Sequence, residues 1–397
     1  MFASRTPIAG ALAALAFAAL SSGCTVSATR PILPAVEKPS IARPHGTWTY
    51  TILHSFGAAG DGRFPHWLTS AGAMLYGVTE NGGANDQGTV FSLTPAGVET
   101  PLLSFSGTDF APSYLVAAPD GYLYGVSVGG GSYNKGIAFR LKPGGELDAF
   151  YQFGRYAGDG TSPYSIVYGG GNLYGLAYYG GTHGKGAIFK LTPGGKETLL
   201  HSFAGGADGI NVEYGIAWVK GVVYGCTAAG GVRNDGTVFA VDDDGSNYRV
   251  IYQFGKTLGA IGKIPVSNLV VLGGNLYGTA QRGGKYDGGT VFQVTPSGAG
   301  RVVYSFSRAS GKAVFPIGLA ASGGKFYVTL QNGGDYGTGG IVSMNVDGTG
   351  TLQIHSFDKA STGTAPSGPV VPLGGLLYGT ISTGGTHDDG IAYSLEH

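Results

Sequence analysis

Eight histidines are the first residues to weigh for acid–base chemistry. His54, His201 and His355 each stand two residues before the Phe of a recurring Ser-Phe pair, a repetition that marks scaffold rather than site. His45 and His397 lie near the chain ends, which leaves His66, His183 and His387. His387 is followed by Asp388 and Asp389. If the two ends of the chain meet, His66 and His387 with these carboxylates would suit a lyase-like proton transfer or a metal pair. Their spacing is not diagnostic, and solvated loops account for all three histidines. No metal and no cofactor is therefore expected.

Aromatic residues make the better case for binding. Pro65-His66-Trp67, Pro112-Ser113-Tyr114, Pro163-Tyr164-Ser165 and Glu213-Tyr214 open four equivalent apolar runs. Glycine-rich links elsewhere carry Tyr179, His183, Arg282, His387 and Asp389. Aromatic faces beside amides and charged groups suit a sugar ring, whose axial hydrogens stack while its hydroxyls need donors and acceptors. A glycan or peptide ligand is expected on the face that holds these residues, against the plainer reading of an ordinary solvated surface.

Three apparent motifs carry no chemistry. Gly125-Val126-Ser127-Val128-Gly129 matches a nucleophile elbow, but a strand follows where a helix is required. Asp242-Asp243-Asp244-Gly245 lacks the spaced ligands and closing Glu of a calcium loop and reads as a polar turn. The many Gly-Gly pairs precede no helix N-terminus that could cradle a phosphate.

The elements behind these residues follow from a repeat. The unit LYGVTENGGANDQGTVFSLTPAGVETPLLSF, residues 75–105, recurs, and its signature tyrosines are Tyr76, Tyr124, Tyr174, Tyr224, Tyr277, Tyr327 and Tyr378, spaced by 48, 50, 50, 53, 50 and 51 residues. Each unit holds four short strand-like runs, for the first Trp67–Ser70, Met74–Thr79, Gly88–Leu93 and Val98–Phe105. Four antiparallel strands in a period near fifty predict a β-propeller blade, with strands A to D running from the central channel outward. The last unit stops at His397 without its D strand, and YTILHSF, residues 50–56, is that missing strand. An all-β, seven-bladed propeller closed by its N-terminal strand is predicted, which leaves no open sheet edge. The signature Tyr and the Ser-Phe or Gln-Phe aromatics are expected between blades, with Tyr327-Val328 in the sixth unit as a departure from Tyr-Gly.

The motif LYGxTxxGGxxxxGTVFxLTPxG resembles the bacterial choice-of-anchor tandem-repeat family known as GloVer, over nearly all of residues 48–397. The resemblance implies an exported propeller and carries no established activity with it. Arg5, the apolar run Ile8 to Leu20 and the small residues up to Cys24 read as an export signal. Leu20-Ser21-Ser22-Gly23-Cys24 resembles a lipobox whose Leu stands four residues before the Cys instead of three; cleavage after Val26-Ser27-Ala28 is the alternative. The expected organisation is a signal peptide over 1–23, a Pro-containing tether over 24–47 acylated at Cys24, and the propeller over 48–397. The other cysteine, Cys226, is expected to be a buried free thiol.

Lys and Arg together number 24 and Asp and Glu 24, so no net field gathers a polyanion, and nucleic acid is not an expected partner. The expected protein is a monomer at the bacterial envelope, anchored to the outer membrane or secreted, that binds a glycan or an envelope protein. The alternative is a lyase or hydrolase acting on an extracellular polysaccharide or lactone at the channel mouth.

Overall fold

The computed structural model describes residues 48–107, 110–142, 146–213, 215–255, 261–307 and 314–397, apart from the side chain of Phe110. The expected signal peptide, tether and acylated Cys24, and the candidate Tyr214, lie outside the described residues.

Seven antiparallel sheets follow one another along the chain, each with its strands in sequence order except the last. In that sheet Thr49–Ser55 lies outermost on Ile391–Glu396, in register from Thr49 opposite Glu396 to Ser55 opposite Ile391, followed by Leu376–Ile381 and Val371–Leu373. The first segment of the domain is thus the outer strand of the last blade, and the ring is closed as predicted. Innermost strands of successive blades pack on one another, which places the A strands around the channel. The first of them, Gly62–Ala71, is longer than its apolar run suggests, because the link before it also pairs. In the fifth blade the inner strand is broken into Lys263–Pro265 and Val270–Leu272. Across that break Ser267 Oγ accepts the Thr279 N–H at 2.7 Å, and Asn268 Nδ2 donates to Leu319 O in the next blade at 2.9 Å.

The repeated Tyr-Gly has a specific packing reason. Each such glycine lies opposite an aromatic of strand C: Gly77 opposite Phe91, Gly125 opposite Phe139, Gly175 opposite Phe189, Gly225 opposite Phe239, Gly278 opposite Phe292 and Gly379 opposite Tyr393. A Cβ at Gly125 would lie 2.2 Å from the tip of Phe139, so the ring occupies the space that a side chain would need. The same ring meets the Phe of the preceding blade's D strand edge to face: Phe105 with Phe139 at 5.2 Å, Phe153 with Phe189 at 4.9 Å, Phe203 with Phe239 at 5.5 Å. Such pairs add about 0.5–1.5 kcal/mol beyond the area they bury. The D-strand phenylalanines Phe56, Phe153, Phe203, Phe254, Phe306 and Phe357 are fully buried, and Phe105 is 1% exposed. The sixth blade, where Val328 replaces the glycine, changes both partners: Val328 lies opposite Val342, and Tyr327 is only half-buried.

Candidate functional site

The channel mouth is built by a device repeated in all seven blades. The residue two before each bulge position adopts a positive φ although it is not glycine: Phe64 (58°), Ala111 (54°), Ser162 (52°), Asn211 (59°), Ile264 (59°), Phe315 (44°) and Ala365 (61°). This region is uncommon for such residues and strained for the β-branched Ile264. Surrounding contacts hold it in place. The Phe64 N–H donates to Asp389 O at 2.7 Å and the Ser162 N–H to Lys135 O at 2.8 Å, each across a blade boundary. Pro65 packs on Gly390, Pro112 on Gly88, Pro163 on Gly136, Pro265 on Gly236 and Pro316 on Gly289, where a Cβ on the glycine would lie within 2.3–2.7 Å of the ring.

One residue further the ladder slips. The register shifts between Pro65 and Trp67, Pro112 and Tyr114, Pro163 and Ser165, and Pro316 and Gly318. A β-bulge re-aims the extra side chain, here His66, Ser113, Tyr164 and Ile317. Together with their equivalents Glu213, Val266 and Ser367, these residues line the mouth. A second ring comes from strand B, four residues after the signature tyrosine, and supplies Glu80, Val128, Gln281, Gln331 and Ser382.

Two cavities share His66. The larger, about 280 Å³, combines Trp67, the amides of Asn268, Gln281 and Gln331, the hydroxyls of Ser367 and Ser382, the apolar side chains of Val266, Ile317 and Pro369, and the carboxyl of Glu213. The smaller, about 110 Å³, adds Glu80, Ser113 and Tyr164. His66 Nε2 and Glu80 Oε2 lie 3.3 Å apart, and this hydrogen bond holds the Glu80 carboxyl below its usual range. Burial pushes the Glu213 carboxyl above the usual range. Burial, followed by the nearby Glu213, also raises the Tyr164 phenol.

Of the residues singled out from the sequence, His66 and Trp67 line the larger cavity and His66 and Tyr164 the smaller. Trp67 stacks on Tyr114, ring centroids 4.0 Å apart, so one face of the indole is covered, and its six-membered ring lies beside Gly368. Tyr178 links Tyr164 at 5.6 Å to the exposed Tyr179 at 4.6 Å. His183 and His387 are exposed at tips of B–C links, and Arg282 lies over the Phe315 ring at 5.4 Å. His387 and Asp389 stand beside Gly57, in the link that leaves Thr49–Ser55. His66 turns to Glu80, and no hydrogen bond or ring contact joins it to His387 among the described residues. Gln281, Gln331 and Asn268 were not singled out, and Glu213 was named only beside Tyr214, although the offset of four from the signature tyrosine would have found the two glutamines. The elbow-like Ser127 is buried in strand Leu123–Gly129, its Oγ donating to Gly129 O at 2.7 Å, and Asp242–Gly245 closes a hairpin.

A family model described as the Gloeobacter/Verrucomicrobia repeat matches residues 42–170 and 163–393. No curated protein sequence matches the chain. Among solved structures the fold is similar to that of an oligogalacturonate lyase in complex with manganese (TM-score 0.57, 13% identity, covering 88% of this chain and 96% of that one). It is also similar to the extracellular domain of a one-component system from B. thetaiotaomicron (TM-score 0.55, 12% identity, 88% of this chain). The chain matches 40% of the length of that second structure. At these identities the likeness concerns the fold.

Proposed function

From a chain that belongs to the Gloeobacter/Verrucomicrobia repeat family, with a polar, half-enclosed channel mouth, we propose an extracytoplasmic binding module that takes a small polyhydroxylated ligand, a sugar or short glycan. The observation that carries this reading is the larger cavity. Three amides, two hydroxyls, three apolar side chains and Trp67 line one cavity, and ligand sites generally join an apolar wall to a few placed polar groups. Amides both donate and accept, which matches the mixed character of sugar hydroxyls. The apolar run before Cys24 and the extracellular origin of one similar fold support a place outside the cytoplasm, with the acylated Cys24 as the membrane anchor.

A specific observation favours the enzyme as second reading. Glu213 is the one carboxyl lining the larger cavity among the described residues, and burial favours its protonated form, the state a general acid needs. A thermal-shift screen of the purified protein against neutral and acidic oligosaccharides separates the two. Binding predicts a saturable rise in melting temperature that Gln281→Ala with Gln331→Ala abolishes and Glu213→Gln retains. Turnover predicts chain cleavage, read as new reducing ends or unsaturated product, that Glu213→Gln removes. A flat response to every saccharide together with no cleavage would sink both readings and turn the search to protein partners.

A further inference from the structure

At the seam where the ring closes, three side chains from three segments converge on the outer rim, away from the channel. His54 belongs to the N-terminal strand Thr49–Ser55, Asp61 to the link into the first blade, and Glu99 opens that blade's outer strand, Glu99–Ser104. One ligand atom of each lies within 4.8 Å of the other two. His54 Nε2 and Asp61 Oδ2 are 2.8 Å apart, and the other Asp61 oxygen accepts the Gly62 N–H at 2.7 Å. Asp61 is 8% exposed, while no hydrogen bond reaches the carboxyl of the half-buried Glu99 from any described residue.

The same place at other seams shows what a purely structural version looks like. Between the third and fourth blades the cluster is His201, Asp208 and Tyr248, with Tyr248 stacked on His201 at 3.4 Å and its hydroxyl donating to Asp208 O at 3.3 Å. Between the second and third it is Tyr151, Asp159 and Glu197, where the Tyr151 hydroxyl donates to Asp159 Oδ2 at 2.9 Å. Each of those triads includes a tyrosine that contributes a ring and a hydroxyl. Only at the closing seam, among the described residues, do an imidazole and two carboxylates meet.

We propose that His54, Asp61 and Glu99 form a divalent transition-metal site that ties the N-terminal closing strand to the first blade. An imidazole with two carboxylates suits a borderline ion such as Zn²⁺, with water completing the shell. Ligand atoms about 2.0–2.2 Å from a tetrahedral ion lie about 3.4 Å from one another, so binding replaces the 2.8 Å hydrogen bond of His54 to Asp61, opens that pair slightly and gathers Glu99 to the same ion. The ion neutralises two acids held close together, and it binds the closed ring but not the open chain. Closure thereby becomes metal-dependent, because a ligand held only by the folded state stabilises that state.

The test uses the full chain stripped with EDTA and titrated with ZnCl₂ by calorimetry and thermal shift, with MnCl₂, CaCl₂ and MgCl₂ beside it. One Zn²⁺ should bind per chain, and melting should rise by roughly 3–6 °C at hundredfold excess over Kd. Glu99→Gln, which keeps shape and removes the charge, should weaken Zn²⁺ by at least about tenfold, since even outer-shell partners contribute that much. Glu197→Gln at the seam between the second and third blades and Trp67→Ala at the mouth should leave the response intact, which keeps this result separate from any failure at the channel. His54→Gln provides a second variant if Glu99→Gln fails to fold. Absence of Zn²⁺ binding, or a response unchanged in both variants, overturns the proposal.

Discussion

Replacing Gly125 by Val tests whether the Tyr-Gly signature exists to house a ring. Gly125 has ordinary strand geometry, so space alone opposes a side chain there. An added Cβ would lie 2.2, 2.6 and 2.8 Å from three atoms of Phe139. Overpacking of this kind costs about 1–3 kcal/mol, and the upper end applies because Phe139 is fully buried and held against Phe105. Phe139→Val alone loses much of a buried ring and its edge-to-face partner, about 3 kcal/mol when scaled from Phe→Ala losses of 3–5. Independent effects would sum to about 6 kcal/mol. The double variant, however, recreates the Val328–Val342 pair of the sixth blade at the same register. Valine at position 125 then fills the space the ring vacates and favours the strand. The double variant should therefore lose no more than about 3 kcal/mol, a coupling of about 3 kcal/mol. Equilibrium urea unfolding of the four proteins, followed by circular dichroism and intrinsic fluorescence, measures the cycle. Additivity of the two single losses within about 0.5 kcal/mol would refute the reasoning.

Other consequences can be checked alongside. Burial lowers His355 from 6.5 to about 4; the unfolded state then binds more protons between those values, so stability should fall as pH drops from 6.5 towards 4. Melting curves of His355→Tyr, the residue type at the equivalent positions 151, 252 and 304, should lack that slope. Glu99 and Glu197 move the other way, raised from 4.5 to about 7 by burial, with Asp61 and Asp159 respectively adding to it. The folded state holds the extra protons, so their contribution is present below pH 4.5 and lost as pH rises through 7; Glu197→Gln should flatten that limb of the melting profile. Ala111→Gly relieves a positive φ at the mouth and should raise stability by about 0.5–1 kcal/mol in urea titrations. The Cys226 thiol is 2% exposed and burial raises its pKa, so maleimide labelling should wait for unfolding.

Much of the architecture is legible in the chain because a repeat states it seven times. The Tyr and Phe positions, the missing final strand and its supply by YTILHSF follow from pattern and count. Local side-chain aim is not. His66, Ser113 and Tyr164 follow prolines in apparently regular strands, and the bulge that turns them to the mouth depends on a positive φ held by the neighbouring blade. Trp67 reads as a stacking surface, yet Tyr114 of the next blade covers its face, a contact between residues 47 positions apart. His54 reads as scaffold by its equivalence to His201 and His355. What differs is its neighbour across the seam, which is Glu99 here and Tyr248 or Tyr50 there.

By itself the sequence determined the periodic part: strand alternation, seven units and a ring completed by the N-terminal strand. Those features are repeated and local, so hydrophobic pattern and turn chemistry specify them together. Tertiary structure decided which non-repeated residues meet, namely the amides at the channel mouth and the His54, Asp61 and Glu99 cluster at the rim. Such meetings depend on the rotation from one blade to the next and on register slips within strands, and neither leaves a periodic trace in the chain.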